Sequence, residues 1–198
     1  MVPVDHILRV KSSASRVFSQ CSLSAALLFL VWSQALAQQA GSPFASETID
    51  PGVVVSDVKK SIEFYTQALG FKEVKGFSVP GNWTKDVGLT DGQTLDIHVL
   101  VLGEGKGSTK LKLMEVPGAN VKKGENKYIT SQQGIRYLTI QVTDIDEALA
   151  RLAKAGAKPA TKGGMVALPE GFPKGVYLIL VADPDGNLIE LVGPKKQQ

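Results

Sequence analysis

Glu190 is a lone carboxylate in an apolar run, Leu188-Ile189-Glu190-Leu191-Val192. An acid in that setting can take a proton as a general base, or it can close on a cation as an interior ion pair. Lys112 is the cation expected to satisfy that pair. Asp96 and His98 alternate with Leu95, Ile97, Val99 and Val101, so period two places the two polar side chains together, facing an interior cavity, with the apolar row against a helix. A lone His on a strand serves more often as a hydrogen-bonded wall residue than as a ligand or base. Trp83 stands in a loop, Pro80-Gly81-Asn82-Trp83-Thr84, where it either covers a core edge or forms one wall of a ligand pocket. Asp183-Pro184-Asp185-Gly186-Asn187 reads as a tight turn, with Pro and Gly setting its backbone and Asp and Asn bonding their own main chain.

The elements that position these groups begin after an export leader. Arg9, Lys11 and Arg16 form a basic start, Leu23 to Trp32 an apolar core, and Ala35-Leu36-Ala37 a small-x-small cleavage site. The apolar run is too short to span a bilayer, so residues 1–37 are expected to be removed and no stable membrane anchor to remain. Cleavage would take away three basic residues and one acid from totals of 22 and 19, leaving 19 against 18 and a net charge of +1. It would also remove Cys21, the single cysteine, and leave His98 as the only histidine. The expected address is the periplasm or outside. Hydrophobic residues are 43% and charged residues 21% of the 198-residue chain, an ordinary globular balance. Basic residues are scattered, which excludes a nucleic-acid partner, and one cysteine excludes a disulfide framework.

Residues 38–47 form a polar, flexible lead, and an internal repeat organises the rest. Val55-Ser56-Asp57-Val58 aligns with Val142-Thr143-Asp144-Ile145, in each case a strand running into an Asp N-cap. Asp144 and Glu147 have capping-box spacing. Val58, Ile62, Tyr65 and Leu69, then Ile145, Ala148, Leu149 and Leu152, give each helix one apolar face, and Gly70 and Gly156 close the two helices. Strands are expected over 71–79, 94–102 and 111–116, then near Lys158, over 176–182 and over 188–192. Each half therefore reads strand, helix, three strands: a first module at 48–118, a linker at 119–133 and a second module at 134–194. Val53 and Val55, then Leu138, Ile140 and Val142, face the helices, while Asp50, Gly52, Val54, Tyr137, Thr139 and Gln141 face the concavity. Gly163 to Pro173 reads as a flexible lip over that cavity.

Three stretches carry a family resemblance: Gly52 to Tyr65 with Ala68-Leu69-Gly70-Phe71, Gly134 to Asp144, and Asp183 to Leu191. Together they resemble the vicinal oxygen chelate superfamily, the glyoxalase, bleomycin-resistance and extradiol-dioxygenase group. The resemblance implies an α+β fold in which two βαβββ modules form a cup-shaped mixed-sheet barrel with the helices outside. It also implies four metal-ligand positions, which fall here on Asp50, Lys112, Tyr137 and Glu190. Only Glu190 matches the family pattern. A protonated Lys has no lone pair to donate, and Tyr is a rare ligand for such metals, so a divalent metal is disfavoured although Asp50, Glu190, Asp96 and His98 could make a non-standard site.

Two functions follow from this reading. One is a lyase or isomerase acting on a small oxygenated molecule, with Glu190 as base and with Lys112 and Tyr137 stabilising a developing oxyanion. Extradiol cleavage does not fit, since its iron site needs two His and a Glu and the mature chain keeps one His. The other is a binding protein of the bleomycin-resistance kind, with polar anchors such as Thr139 and Gln141 in a partly apolar pocket. A filled remnant closed by Lys112 and Glu190 is a third possibility. Nothing in the chain excludes a symmetric homodimer.

Overall fold

An aspartate cap starts each of the two principal helices. Asp57 Oδ1 accepts the Lys60 N–H at 3.0 Å, and Asp144 Oδ1 accepts those of Asp146 and Glu147 at 3.0 and 3.3 Å, occupying donors that the first helical turn leaves unpaired. The computed structural model describes residues 44–46, 48–116, 118–119 and 121–196. The leader expected over 1–37 lies outside the described residues, as does most of the lead at 38–47.

The elements run β1 (Gly52–Val54), α1 (Val58–Glu63, continued by a π-helical turn at Phe64–Ala68), β2 (Lys72–Val79), α2 (Gly81–Asp86), β3 (Leu95–Val101) and β4 (Lys110–Glu115). There follow β5 (Tyr137–Gln141), α3 (Ile145–Lys154), β6 (Val166–Ala167), β7 (Val176–Ala182) and β8 (Leu188–Pro194). They build two four-stranded sheets of like topology, ordered β1-β4-β3-β2 and β5-β8-β7-β6. In each, the first strand lies parallel to the last and the other pairings are antiparallel. This is the α+β, two-module architecture read from the repeat. The two sheets are not closed into a barrel, since no strand of one hydrogen-bonds to a strand of the other among the described residues.

One core serves both modules. Val55, Tyr65, Leu69, Leu100, Leu111 and Leu113 pack in the same buried cluster as Ile140, Ile145, Leu152, Ile179, Ile189 and Leu191, and the π-helical turn of the first module packs on α3 of the second. Gly70 lets the first helix end against its neighbour. It takes φ +83°, a backbone conformation that favours a residue without a side chain, and a Cβ there would stand 2.6 Å from Arg151 Nη1, so the arginine would have to shift.

Several local expectations differ from the structure. Glu147 does not complete a capping box: its Oε1 pairs with Arg151 at 3.2 Å one turn on. Trp83 lies on the short helix α2, half-exposed, instead of in a loop. The stretch near Lys158 makes a single bridge, Pro159 to Val181, and the fourth strand of the sheet is Val166–Ala167, inside the segment read as a lip. The facing of β3 is reversed. Its register sets Leu100 against Leu111 and His98 against Leu113, and Leu100, Leu111 and Leu113 are fully buried in the common core. Asp96 and His98 therefore lie on the helix side of the sheet, and Ile97, Val99 and Val101 on the side away from it. With Val99, Leu100, Val101 and Leu102 consecutive, both phases of alternation looked apolar, and only the pairing partners settle the phase.

Candidate functional site

The face of each sheet turned away from the helices is the candidate site. In the first sheet the register places Val74, Phe77, Ile97, Val99, Lys110, Lys112, Met114, Gly52 and Val54 on that open face. Leu95 and Val99 there are 5% and 6% exposed yet stand outside the common core cluster, whereas Val54, Val74 and Phe77 are 45%, 45% and 50% exposed. Gly76 makes this arrangement reachable. The ladder slips between Val74 and Phe77, a Cβ at Gly76 would sit 2.2 Å from the Ile97 carbonyl oxygen, and the resulting bulge returns Phe77 to the open face.

Charge is sorted between the two faces. Among first-sheet residues of set register, the strand acids Glu73, Asp96 and Glu115 lie on the helix side and the strand lysines Lys72, Lys110 and Lys112 on the open side. The acids have structural partners: Glu115 Oε2 accepts the Val58 N–H at the start of α1 at 3.2 Å, Ser78 Oγ donates to Asp96, and His98 Nδ1 stands 3.0 Å from Glu73 Oε1. Asp96 and His98 thus belong to the wall behind the candidate site.

Asp50 and Lys112 do meet. Lys112 Nζ is 3.4 Å from Asp50 Oδ2, and the other Asp50 oxygen accepts the Lys110 N–H at 3.2 Å. In the second sheet Tyr137, Thr139, Gln141 and Glu190 share the open face with Leu188, and Thr139 Oγ1 donates to Glu190 Oε2 at 2.8 Å. The interior ion pair expected between Lys112 and Glu190 is absent, because each has a nearer partner within its own module. Trp83 makes no polar contact with either group among the described residues. Sequence reading missed Lys110, Val74 and Phe77, whose facing depends on the β2–β3 register and the bulge, a long-range property.

The donor set does not suit a divalent ion. Of the four ligand positions, Lys112 places an ammonium beside Asp50, and Tyr137 offers a phenol. Among the described residues no three His, Cys, Asp or Glu side chains are gathered closely enough to hold a metal.

Two cavities adjoin the site. One of about 280 Å³ lies in the seam where β1 meets β5 and β8, lined by Gly52, Val54, Tyr65, Tyr137, Leu138 and Leu188. Another, of about 540 Å³, lies under the linker beside Ser56, Glu115, Lys122, Lys123, Arg136 and Asp185. The floor of the seam is fixed by Tyr65, whose hydroxyl donates to Asp183 Oδ2 at 3.0 Å. Burial, and then the Asp183 charge, pushes the Tyr65 phenol far above its ordinary range, so it stays protonated as a donor. No helix among the described residues is long and apolar enough to cross a membrane.

Comparison with known proteins agrees with this topology. The family model described as Glyoxalase/Bleomycin resistance protein/Dioxygenase superfamily matches residues 48–191. A glyoxalase family protein from Bacillus cereus is similar over 79% of this chain and 100% of its own, with 23% identity and a TM-score of 0.61. Glyoxalase I of Leishmania major, a trypanothione-dependent enzyme, is similar over 73% of this chain and 84% of its own, at 25% identity and TM-score 0.50. A glyoxalase/bleomycin resistance protein/dioxygenase domain from Frankia covers 80% and 96%, at 22% and 0.51. No curated protein sequence matches.

Proposed function

The chain belongs to the Glyoxalase/Bleomycin resistance protein/Dioxygenase superfamily, and from that premise we propose that it is an exported protein that binds a small oxygenated organic molecule on the open face of its sheets. One observation carries the reading: large apolar side chains remain half-exposed on that face, namely Val54, Val74, Phe77 and Tyr137, beside two polar pairs, Asp50–Lys112 and Thr139–Glu190. Unpartnered apolar area rimmed by a few fixed polar groups is what a small-molecule site offers. Because each polar pair is satisfied internally, it presents a fixed anchor and a pre-arranged surface, which lowers the ordering cost of binding.

A specific feature favours a second reading. Glu190 Oε2 takes the Thr139 hydroxyl, and Oε1 has no hydrogen-bond partner among the described residues. That free oxygen could accept a proton from a carbon next to a carbonyl, the step of a lyase or isomerase. The experiment that separates the readings incubates the mature protein with a panel of small oxygenated molecules and analyses the recovered compound. Stabilisation against heat with the compound returned unaltered supports binding. Chemical change that stops on Glu190→Gln supports catalysis, and no stabilisation by any compound overturns both.

Export is part of the proposal. N-terminal sequencing of the secreted or periplasmic product should begin at Gln38. A chain that retains Met1 in the cytoplasm would remove export and leave the binding reading standing.

A further inference from the structure

Resting on the binding reading above, we infer that the open face of the first sheet selects an organic monoanion, an apolar body carrying one carboxylate at its end. The strand register supplies both halves of the argument. One end of the face carries the row Lys72, Val101, Lys110, and the other carries Phe77, Ile97 and Met114, with Lys112 and Val74 between them flanking a buried Val99. From Lys110 to Met114 the strip is about 13 Å long at the rise of a β-strand, the span of a fused bicyclic ring or a medium alkyl chain with its acid group.

The cations on this face are not equally available. Lys72 is held by Glu104 and Lys112 by Asp50. Lys110 is exposed, and its ammonium has no ion-pair partner among the described residues. Since the strand acids of set register in this sheet point to the helix side, the carboxylates at this end are Glu104 and Asp50 from outside the strands, against the three lysines Lys72, Lys110 and Lys112. Gly52 stands beside Lys112 in the β1–β4 register, and a Cβ there would stand 3.2 Å from the Met114 methyl, so the glycine lets that apolar side chain lie next to the lysine. A cationic end and an apolar strip together complement an amphiphilic anion. A neutral apolar molecule would leave the Lys110 charge unused, and a cation would be repelled.

Titration calorimetry with 2-naphthoate, and separately with its neutral counterpart naphthalene-2-methanol, tests this. At low salt the acid should bind about tenfold more tightly than the alcohol, and that preference should fade as ionic strength rises. Lys110→Glu should cancel the preference while leaving affinity for the alcohol unchanged, and Phe77→Ser should weaken both. Circular dichroism would establish that each variant is folded. Equal affinity for acid and alcohol, unaffected by Lys110→Glu, would overturn the anion inference and leave the binding reading intact. Failure of both probes, together with a dimer in sedimentation that Phe77→Ser dissociates, would assign the face to a second copy of the chain and overturn both.

Discussion

Tyr65 and Asp183, 118 residues apart, are joined by a buried hydrogen bond of 3.0 Å. Asp183 is 5% exposed and also accepts from the N–H of Asp185, the N–H of Asn187 and the Asn187 side-chain amide, at 2.9, 2.8 and 2.9 Å. A buried carboxylate needs such donors to offset its lost hydration. Here one of them comes from the helix of the other module, so the closing turn of the second module and the helix of the first hold each other in place.

Tyr65→Phe keeps the ring and removes the hydroxyl. Asp183 then loses one of four donors while remaining buried, and stability should fall by about 1–3 kcal/mol. Urea unfolding should show the loss as a lower midpoint with an unchanged slope. A change below about 0.5 kcal/mol would mean that water replaces the hydroxyl.

Alkaline pH should expose the same bond. The folded-state pKa of Tyr65 is raised by burial and the Asp183 charge, so its contribution is complete below the unfolded phenol value of about 10. It is lost as pH climbs above that value. One of the four tyrosines should therefore fail to ionise in a spectrophotometric titration until the protein unfolds, and Tyr65→Phe should flatten the alkaline limb of the stability curve.

Asp57 shows the opposite sign. The main-chain N–H of Lys60, and next its ammonium, hold the Asp57 carboxyl below its ordinary value. What it contributes at the start of α1 is present at neutral pH and fades as pH falls from about 4 downward. A carbon-detected NMR titration should find its midpoint below that of an unfolded-chain aspartate. A midpoint at or above that value would mean that the cap does not form in solution.

Gly70→Ala tests two causes at once. The left-handed φ of +83° and the Arg151 guanidinium 2.6 Å from the new Cβ both oppose the methyl group, and the cost should exceed about 1 kcal/mol. Adding Arg151→Ala frees the space and leaves the backbone strain. Partial recovery in the double variant separates the two, and full recovery would assign the whole effect to the arginine.

Glu190→Gln should leave the unfolding free energy nearly unchanged, within about 0.5 kcal/mol, because the residue is partly exposed and the amide still accepts the Thr139 hydroxyl. Ligand affinity or turnover should fall. A large loss of stability would make Glu190 a structural group.

Much of the fold was legible because its signals are local. Asp57 and Asp144 announce their helices within a few residues of sequence, and Asp183 to Asn187 marks its turn the same way. The helix side of β1 and β5 followed from clean alternation at Val53, Val55, Leu138 and Ile140. The phase of β3 was not legible, because four consecutive apolar residues satisfy either face and the choice rests on pairing with Leu111 and Leu113. The partners of Lys112 and Glu190 were misread for a related reason. A long side chain takes the nearest opposite charge or hydroxyl, and Asp50 and Thr139 come within reach only through strand register. Glu147 had the spacing of a capping box, and Arg151 one turn away competed successfully for its carboxylate.

The sorting of acids and lysines onto opposite sides of the first sheet makes that sheet a small electrical dipole about one strand layer thick. A charged solute meets it before any contact forms. An approaching anion is drawn toward the lysine side and turned away from the acid side, so a larger share of collisions arrives at the productive face. Rates of association, more than rates of escape, should carry the imprint of salt, rising as ionic strength falls. Moving one acid across the sheet, by exchanging the residues at 112 and 115, would cut the strand charges on the two faces from +3 and −3 to +1 and −1 and weaken that orientation, while conserving net charge and composition.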